Sequence, residues 1–527
     1  MAERRWTDRQ KQSIEARGGT LLISAAAGSG KTAVLVERVI RRITDPTDPV
    51  DVDRLLIVTF TRAAAAEMQQ RLSAALAAKM ADDPANTLYQ RQQMLLPRAH
   101  ISTVHGFCAA LLREQAGAIG LPPRFRVAEE AETALLSSEA LDTVLEQSYR
   151  EQDPAFLALA AQLGGGRSDD GLRSAVLEAY EFMQAQPFPQ AWLREQLDAY
   201  TAVQPLENTR WMPPLRQELQ YILEGCCQLA DRCCTLAARD GLEAYADALA
   251  VDAKAAQNLS ALAAADTGYD ALQQAVCAAS LTRLPPVRSK DAAVIEDKEQ
   301  IKALRDRIKK KLERAKKLFC GSEAECRADL AAMAPVVDAL GGLVTRYTEE
   351  FTRRKRQKKL LDYNDLEHES LRLLLDGESG RPTPLAEELS GRFAEIMVDE
   401  YQDTNAAQDA LFRALSRQES NLFMVGDVKQ SIYGFRQAMP TIFTARRDHY
   451  TEYDAAHPAF PAAITLGNNF RSRETVTDTV NFLFRQLMHR SLGGVEYDER
   501  EALVCSADYP PAEGRETEWL LLDEASA

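Results

Sequence analysis

Residues 24–32 read SAAAGSGKT, and they constrain the fold more than any other stretch of the chain. They follow the apolar run TLLI and precede AVLVERVIRRI, so they are predicted to join a buried strand to a helix. Their glycines, lysine and threonine match the phosphate-binding pattern G-x-x-x-x-G-K-[ST], except that Ala25 replaces the first glycine. Alanine is acceptable there if its φ is negative, because backbone N–H groups and the helix N-terminus form the cradle. The predicted nucleotide-binding loop comprises Ser24, Ala25, Ala26, Ala27, Gly28, Ser29, Gly30, Lys31 and Thr32.

Within this loop, Lys31 is expected to reach the β- and γ-phosphates of a nucleotide, and Thr32 to place its hydroxyl on Mg²⁺. A strand-turn-helix junction with an incidental GKT is the alternative. It is disfavoured because Gly28, Gly30 and both following residues all stand where the pattern requires them.

Apolar runs and helical patterns alternate along the chain, and their order predicts the fold class. Strand-like runs stand at residues 20–25, 54–60 and 100–104, and again at 393–400, 421–427 and 462–466. Between residues 129 and 360, Ala, Leu, Glu, Gln and Arg recur with helical spacing instead. This order predicts an α/β domain with a parallel sheet, interrupted by a large helical insertion and followed by the start of another element.

Composition limits the classes of protein that fit. The net charge of -15 and pI near 5.1 exclude a compact basic DNA-binding domain, so any nucleic-acid contact has to be local. The N-terminal MAERRWTDRQ lacks the apolar core of a signal peptide. No later apolar run is expected to span a bilayer, which predicts a cytoplasmic protein without membrane contact.

Four of the nine cysteines stand in CCQLADRCC, residues 226–234. A metal site is one interpretation, but the pairs are adjacent and histidine is absent from this stretch and its surroundings. Seven-residue spacing places Cys226 and Cys233 on one face of a helix, which favours small apolar residues in a helical core.

The segment IMVDEYQDTN, residues 396–405, carries two carboxylates directly after an apolar strand. Asp399 is placed to hold Mg²⁺, and Glu400 to orient and deprotonate an attacking water. An isolated Asp-Glu pair is more often a solvated surface pair. Here the pair ends a buried run, and this favours ATP hydrolysis over a P-loop kinase.

The segment VGDVKQSIYGFRQA, residues 425–438, follows another strand. Its amide, Gln430, is suited to sensing a γ-phosphate, while Tyr433, Phe435 and Arg436 interleave rings with a cation, as in surfaces that stack single-stranded bases. Alone, such rings would be interpreted as core. Further on, LGNNFRSRE supplies Arg471, an arginine able to stabilise transition-state charge.

Together these segments resemble the UvrD-like superfamily 1 DNA helicases and, among them, the AddA-type subunits of bacterial AddAB helicase-nucleases. The resemblance rests on eight segments in the family's order: WTDRQKQSI, SAAAGSGKT, IVTFTRAAAAEMQQRL, ISTVHGFCAALLRE, LDYNDLE, IMVDEYQDTN, VGDVKQSIYGFRQA and NNFRS. It covers the chain in outline, although the helical insertion matches only in placement and character.

The resemblance implies roles for individual residues. For the nucleotide, Gln10 matches the glutamine that reads adenine, Phe470 resembles the aromatic that stacks on adenine, and Ala25 is usual in the loop. Lys31, Thr32, Asp399, Glu400, Gln430 and Arg471 match the ATPase machinery, with ATP and Mg²⁺ as cofactors. For DNA, the implied contacts are Thr59, Phe60, Thr61, Arg62, His105, Tyr433, Phe435 and Arg436.

The resemblance also implies a domain plan and a function. The plan is a RecA-like domain 1A over 1–128 and 361–460, a helical domain 1B over 129–360, and the beginning of a second RecA-like domain over 461–527. The implied function is ATP-driven 3′ to 5′ translocation on DNA in break repair. The implied partners are single-stranded DNA, double-stranded ends and a second subunit of the AddB type.

The family's later motifs and its C-terminal nuclease do not follow residue 472, although TEWLLLD at 517–523 has the pattern of one more strand. We therefore expect an N-terminal portion without nuclease activity. The alternative function is a scaffold lobe that binds ATP and DNA without unwinding.

Three charged segments complete the sequence predictions. VIEDK, residues 294–298, has the form of a nuclease strand, but the helical pattern after it predicts a helix start. The basic run RRKRQKK, residues 353–359, contains no acid and is predicted to contact DNA. A second run, with Lys309, Lys310, Lys311, Arg314, Lys316 and Lys317, fits either phosphate contacts or a solvated helix face.

Overall fold

A parallel sheet of seven strands, in the order β3-β2-β6-β7-β1-β9-β8, forms the centre of the fold. The computed structural model describes residues 5–509 except 123, 165–167, 202–203, 240 and 491–493, together with 517, 518 and 520. The sheet strands are β1 (Leu21–Ala25), β2 (Leu55–Thr59), β3 (His100–Thr103), β6 (Glu395–Val398), β7 (Leu422–Gly426), β8 (Thr451–Glu452) and β9 (Ala462–Leu466). Two short pairs lie outside it, β4 (Arg126–Val127) with β5 (Leu360–Leu361) and β10 (Asn468–Asn469) with β11 (Val504–Cys505).

Helices make up most of the rest of the chain. The first are α1 (Asp8–Glu15), α2 (Lys31–Ile43), α3 (Arg62–Asp82), α4 (Thr87–Leu95), α5 (Val104–Glu114), α6 (Glu130–Glu151), α7 (Pro154–Leu163), α8 (Asp170–Gln184) and α9 (Pro189–Thr201). They are followed by α10 (Met212–Ala237), α11 (Glu243–Ala264), α12 (Tyr269–Ala278), α13 (Ala292–Leu318), α14 (Glu323–Gln357), α15 (Tyr363–Leu374), α16 (Pro384–Arg392), α17 (Ala406–Leu415), α18 (Pro440–His449) and α19 (Glu474–Leu487).

The central strands are apolar on both faces because helices cover both sides of the sheet. On one face, Leu22, Leu56 and Ile396 join a buried cluster with residues of α5, α15, α16 and α17. On the other, the alternate residues Ile23 and Ile57 pack with residues of α2 and α3. This burial on two sides explains why the strands read as continuous apolar runs rather than alternating ones.

All six strand-like runs predicted from the sequence are strands of this sheet, and the parallel α/β fold is confirmed. The structure differs from the sequence interpretation at residue 461. The strand β9 pairs in parallel with β1 from Leu21 opposite Ala462 to Ala25 opposite Leu466. The sheet of the first domain therefore extends through β9, since β1 needs a partner on that side, and a second domain cannot begin before it. The predicted strand at 517–523 falls largely outside the described residues.

The chain divides into two units, one formed by Met1–Leu193 with Gly342–Ala527 and the other by Arg194–Gly341. The first contains the sheet. The second is helical, and its buried residues are mostly apolar ones from α10, α11, α12 and α13. These bounds differ from the predicted insertion at 129–360, and that domain assignment stays a prediction.

Within the helical unit, Cys226 and Cys233 are buried on α10 while Cys227 and Cys234 are partly exposed, as the seven-residue spacing predicts. In the described part of the chain, no group of three or more His, Cys, Asp or Glu side chains could hold a metal ion. The segment VIEDK lies inside α13, so the helical interpretation of these residues is confirmed.

One helix, α14, is long and apolar enough to cross a membrane by length and composition, with 22% of its most apolar window buried. The sequence interpretation had no such run. A single helix of this kind is weak support for a membrane span, because core helices of soluble proteins meet the same criterion.

Candidate nucleotide and DNA site

The phosphate-binding loop stands where β1 ends and α2 begins. Ala25 is the last residue of β1, hydrogen-bonded in the sheet beside Leu466, so alanine fits without strain. The loop turns at Gly28 and Gly30, whose φ angles of 72° and 83° are left-handed and favour glycine. Lys31 is the first residue of α2, which places its backbone N–H among the unpaired donors of the helix N-terminus.

The two catalytic candidates from distant segments meet in this loop. Lys31 Nζ lies 2.9 Å from Glu400 Oε2, across 369 residues of sequence. Glu400 itself has a left-handed backbone, with φ of 52° and ψ of 43°, which is uncommon for a residue with a side chain. Such strain is found at sites where the position of a side chain matters more than its local stability.

Asp399, the expected metal ligand, directly follows β6, whose last residue is Val398. Burial, together with the negative charge of Glu400, raises the pKa of the Asp399 carboxyl to about 6, while Lys31 opposes the shift. A carboxylate and the Thr32 hydroxyl are the hard oxygen ligands that Mg²⁺ prefers, so the residues present fit this ion.

Gln402 connects the candidate catalytic groups, a role that the sequence interpretation missed. Its Nε2 donates to Glu400 Oε2 at 2.9 Å, and its Oε1 accepts from the backbone N–H of Asp427 at 2.9 Å. Asp427 in turn accepts from Gln430 Nε2 at 2.6 Å. The predicted coupling residue Gln430 is thus joined through two side chains to Glu400. The signal was the position of both linking residues inside the quoted motifs.

The predicted adenine side of the site is assembled from both ends of the described chain. Gln10 is 4% exposed, and its Nε2 donates to the carbonyl of Ser29 at 2.9 Å while its Oε1 accepts from the Thr7 N–H. The Phe470 N–H donates to the carbonyl of Gly28 at 3.0 Å, and the Phe470 side chain is 40% exposed. The loop therefore contacts both residues expected to bind the base.

Asn469 is the second residue that the sequence interpretation missed. Its Nδ2 donates to the carbonyl of Ala27 at 2.9 Å, and its Oδ1 accepts from the N–H groups of Arg471 and Ser472. A Cβ at Gly28 would come within 2.9 Å of the Asn469 amide, so glycine is required by close approach as well as by φ. This packing fixes the backbone at Arg471 beside the loop, while the Arg471 side chain is exposed.

The predicted base-stacking residues form a cluster of rings. The Phe60 and Tyr433 ring centroids are 4.6 Å apart, and those of Tyr433 and Phe435 are 5.8 Å apart. The Arg436 guanidinium lies 5.5 Å from the Tyr433 ring centroid and 5.7 Å from that of Phe435. Phe435 is 73% exposed, which leaves its ring available for a base.

The remaining DNA candidates end the neighbouring strands β2 and β3, whose registers place Thr59 opposite Thr103. Thr59 donates its hydroxyl to the carbonyl of Thr61, and Thr61 caps α3, so both hydroxyls have structural partners. Arg62 opens α3 and is exposed. His105 lies in the first turn of α5, with Nε2 2.9 Å from Glu367 Oε1.

The basic run 353–359 differs from its prediction as a DNA-contacting segment. Lys355 is 1% exposed, and its Nζ lies 2.6 Å from Asp362 Oδ2 and 2.8 Å from Asp365 Oδ2. Arg353 and Arg354 both pair with Glu350. Acids before and after the run neutralise these three cations, so Lys355 cannot contact DNA. In the second run, Arg314 pairs with Glu218 and Lys316 with Glu313, consistent with a solvated helix face.

A phosphate loop at the end of a parallel strand, facing a lysine-glutamate pair from a neighbouring strand, defines a P-loop ATPase domain with a RecA-like sheet. The model of the UvrD/REP helicase N-terminal domain matches residues 6–451, most of the chain. The chain belongs to the UvrD/REP helicase family.

Curated relatives agree with this assignment. The chain is 42% identical over 519 residues to the ATP-dependent helicase/nuclease subunit of the AddA type from Moorella thermoacetica, covering 96% of this chain and 37% of that protein. Subunits of the same name are 37% identical over 532 residues in Clostridium perfringens strain 13 and 38% identical over 536 residues in Bacillus licheniformis. Those matches cover 99% of this chain and 41% and 42% of the relatives. The chain thus spans about two fifths of the length of these relatives.

Proposed function

We propose that this chain is the ATP-hydrolysing portion of a 3′ to 5′ DNA helicase, belonging to a helicase-nuclease complex that repairs double-strand breaks. The observation that carries the proposal is the 2.9 Å contact between Lys31 Nζ and Glu400 Oε2 beside Asp399, at the mouth of the phosphate loop. The family supports it, as does the name that the relatives share, ATP-dependent helicase/nuclease. An AddB-type subunit is the proposed partner.

The proposed ATPase chemistry uses groups that are already side by side. Thr32 and Asp399 would hold Mg²⁺, which neutralises charge on the phosphate oxygens when bound. Phosphates entering the loop give Lys31 a second anionic partner, so the Glu400 carboxylate becomes available to accept a proton from the attacking water. Gln402 holds that carboxylate by its amide, at 2.9 Å from Oε2.

The other site residues have supporting roles in this proposal. Gln10 and Phe470 bind the adenine, and the Arg471 guanidinium stabilises charge on the γ-phosphate in the transition state. Gln430 transmits the state of the nucleotide to the segment that carries Tyr433, Phe435 and Arg436. Those rings, with Phe60, hold successive bases of single-stranded DNA by stacking.

The test is the steady-state ATPase rate of the 527-residue chain with and without single-stranded DNA. We expect DNA to stimulate turnover, and Lys31→Ala and Glu400→Gln each to abolish it. Glu388→Gln, which changes an exposed acid on α16, is the matched control and should leave the rate unchanged. Binding of ATP and DNA without turnover would replace the motor by the scaffold lobe.

Direction is tested separately by displacement of streptavidin from biotinylated single strands. Translocation from 3′ to 5′ displaces streptavidin from a 5′ biotin and leaves a 3′ biotin occupied. The opposite preference would contradict the proposed polarity while leaving the ATPase assignment intact.

A further inference from the structure

A buried carboxylate lies directly behind the predicted DNA-contacting histidine. Glu367, on α15, is 3% exposed, and its Oε1 lies 2.9 Å from His105 Nε2. The same oxygen accepts from Gln408 Nε2 at 2.8 Å. A buried carboxylate is costly unless its oxygens are hydrogen-bonded, so these two contacts stabilise Glu367 where it is.

This contact selects one form of the histidine. An ionised carboxylate can only accept hydrogen bonds, so Nε2 must carry hydrogen at this distance. One turn earlier on α15, the ring of Tyr363 lies 4.5 Å from the His105 ring, inclined by 33°. Tyr363 and Glu367 are four residues apart, on one helix face, and together they restrict both the rotation and the tilt of the imidazole.

Gln408 joins this arrangement to the ATPase segment. It lies in the first turn of α17, where its N–H donates to the Asn405 side chain at 2.8 Å. Asn405 ends the segment IMVDEYQDTN, five residues after the candidate general base Glu400. The side chain of Gln408 thus fixes Glu367 from the helix that directly follows the catalytic carboxylates.

We propose that Glu367 is a positioning residue for DNA binding, which holds the His105 imidazole in the orientation that contacts single-stranded DNA, and that Gln408 holds Glu367. The proposal rests on the proposed function only through the DNA contact of His105. It assigns to the LDYNDLE segment a role in binding the strand, although Glu367 itself is too buried to touch DNA.

The experiment measures binding of the full 527-residue chain to a fluorescein-labelled oligo(dT) by anisotropy. Removing a hydrogen bond to a charged group should weaken binding by about tenfold in Glu367→Ala. Glu367→Gln keeps an oxygen that accepts from His105, so it should restore most of the affinity. Glu369→Ala is the matched control, because this acid on the same helix pairs with Arg356 and Arg372 and should leave binding unchanged.

A double-mutant cycle separates positioning from a general loss of structure. If Glu367 acts through the histidine, Glu367→Ala should weaken binding no further in a His105→Ala background. Undiminished weakening in that background, or unchanged binding by Glu367→Ala alone, would overturn the proposal. Should Glu367→Ala fail to fold, as judged by its circular dichroism, Gln408→Ala replaces it and must show the same dependence on His105.

The two proposals fail in different ways. If the unmodified chain does not bind the oligonucleotide, the DNA-binding function and this inference both fall. If the chain binds and His105→Ala weakens binding while Glu367→Ala does not, only the role of Glu367 is lost.

Discussion

The carboxyl edge of the sheet and the helical unit Arg194–Gly341 are specified by different kinds of interaction. At the sheet edge, polar side chains from distant segments meet at hydrogen-bond distance, as Lys31 and Glu400 do. In the helical unit, the buried residues are mostly apolar, such as Leu223 and Ile301, and each is fully buried.

This difference shows what each region tolerates. A catalytic contact requires a particular donor and acceptor, so residue identity is fixed at the sheet edge even where it strains the backbone at Glu400. A helical core requires volume and apolar character, so many sequences satisfy it. We therefore expect changes at the edge to affect turnover more than stability, and changes in the helical core to affect stability.

The largest expected effect is at Glu400. Glu400→Gln keeps the shape of the side chain but removes the base, so kcat should fall by about 10²- to 10⁴-fold. Steady-state ATPase measurements with saturating oligo(dT) give this value, and thermal unfolding should be little changed. A variant that keeps more than a tenth of the activity would contradict the role of Glu400 as general base.

Leu223→Ala provides the complementary case in the helical unit. It removes a fully buried side chain from α10, so the free energy of unfolding should fall by about 2–5 kcal/mol. Urea unfolding followed by circular dichroism measures the change. The exposed Leu135→Ala on α6 is the control and should cost much less. Equal losses in the two variants would show that the helical core is not well packed.

The same distinction explains how much could be predicted from the sequence. The strands and the loop were predictable because buried parallel strands and phosphate cradles each leave a specific pattern, as at residues 24–32. Asn469, Gln402 and Glu367 were missed because each bonds a residue distant in sequence or an amide whose orientation only the fold determines.

Lys355 illustrates why charge runs are misleading. The run RRKRQKK has no internal acid, but the chain folds back after α14 and brings Asp362 and Asp365 onto this lysine. The start of a second domain was placed too early because an apolar run such as β9 does not reveal which sheet it joins.

Phe435 tests whether the edge has a second specified surface, for DNA. Phe435→Ala removes an exposed ring from the cluster, and stacking on one base is worth about 1–3 kcal/mol. Affinity for oligo(dT), measured by anisotropy, should fall by about 5- to 150-fold. Phe482→Ala, an exposed ring on α19, is the control. Equal effects of the two substitutions would indicate that the cluster is not the stacking surface.

The smallest expected effect comes from the charge at Asp399, and its sign distinguishes a site built for function from one built for stability. Because burial raises the pKa of this carboxyl from 3.8 to about 6, the folded chain keeps a proton that the unfolded chain releases at lower pH. The contribution of Asp399 to the free energy of unfolding therefore falls as pH rises through this window, and the loss is complete above pH 6.

Asp399→Asn removes that loss, so without nucleotide or Mg²⁺ the variant should be more stable than the unmodified chain at pH 7.5, by on the order of 2 kcal/mol. The gain should largely vanish at pH 4.5, where the native carboxyl is already protonated. Urea unfolding at both pH values measures it, with Asp478→Asn as the exposed control. An equal gain at both pH values would show that Asp399 is destabilising through its shape rather than its charge, and that the edge does not sacrifice stability to hold a metal ligand.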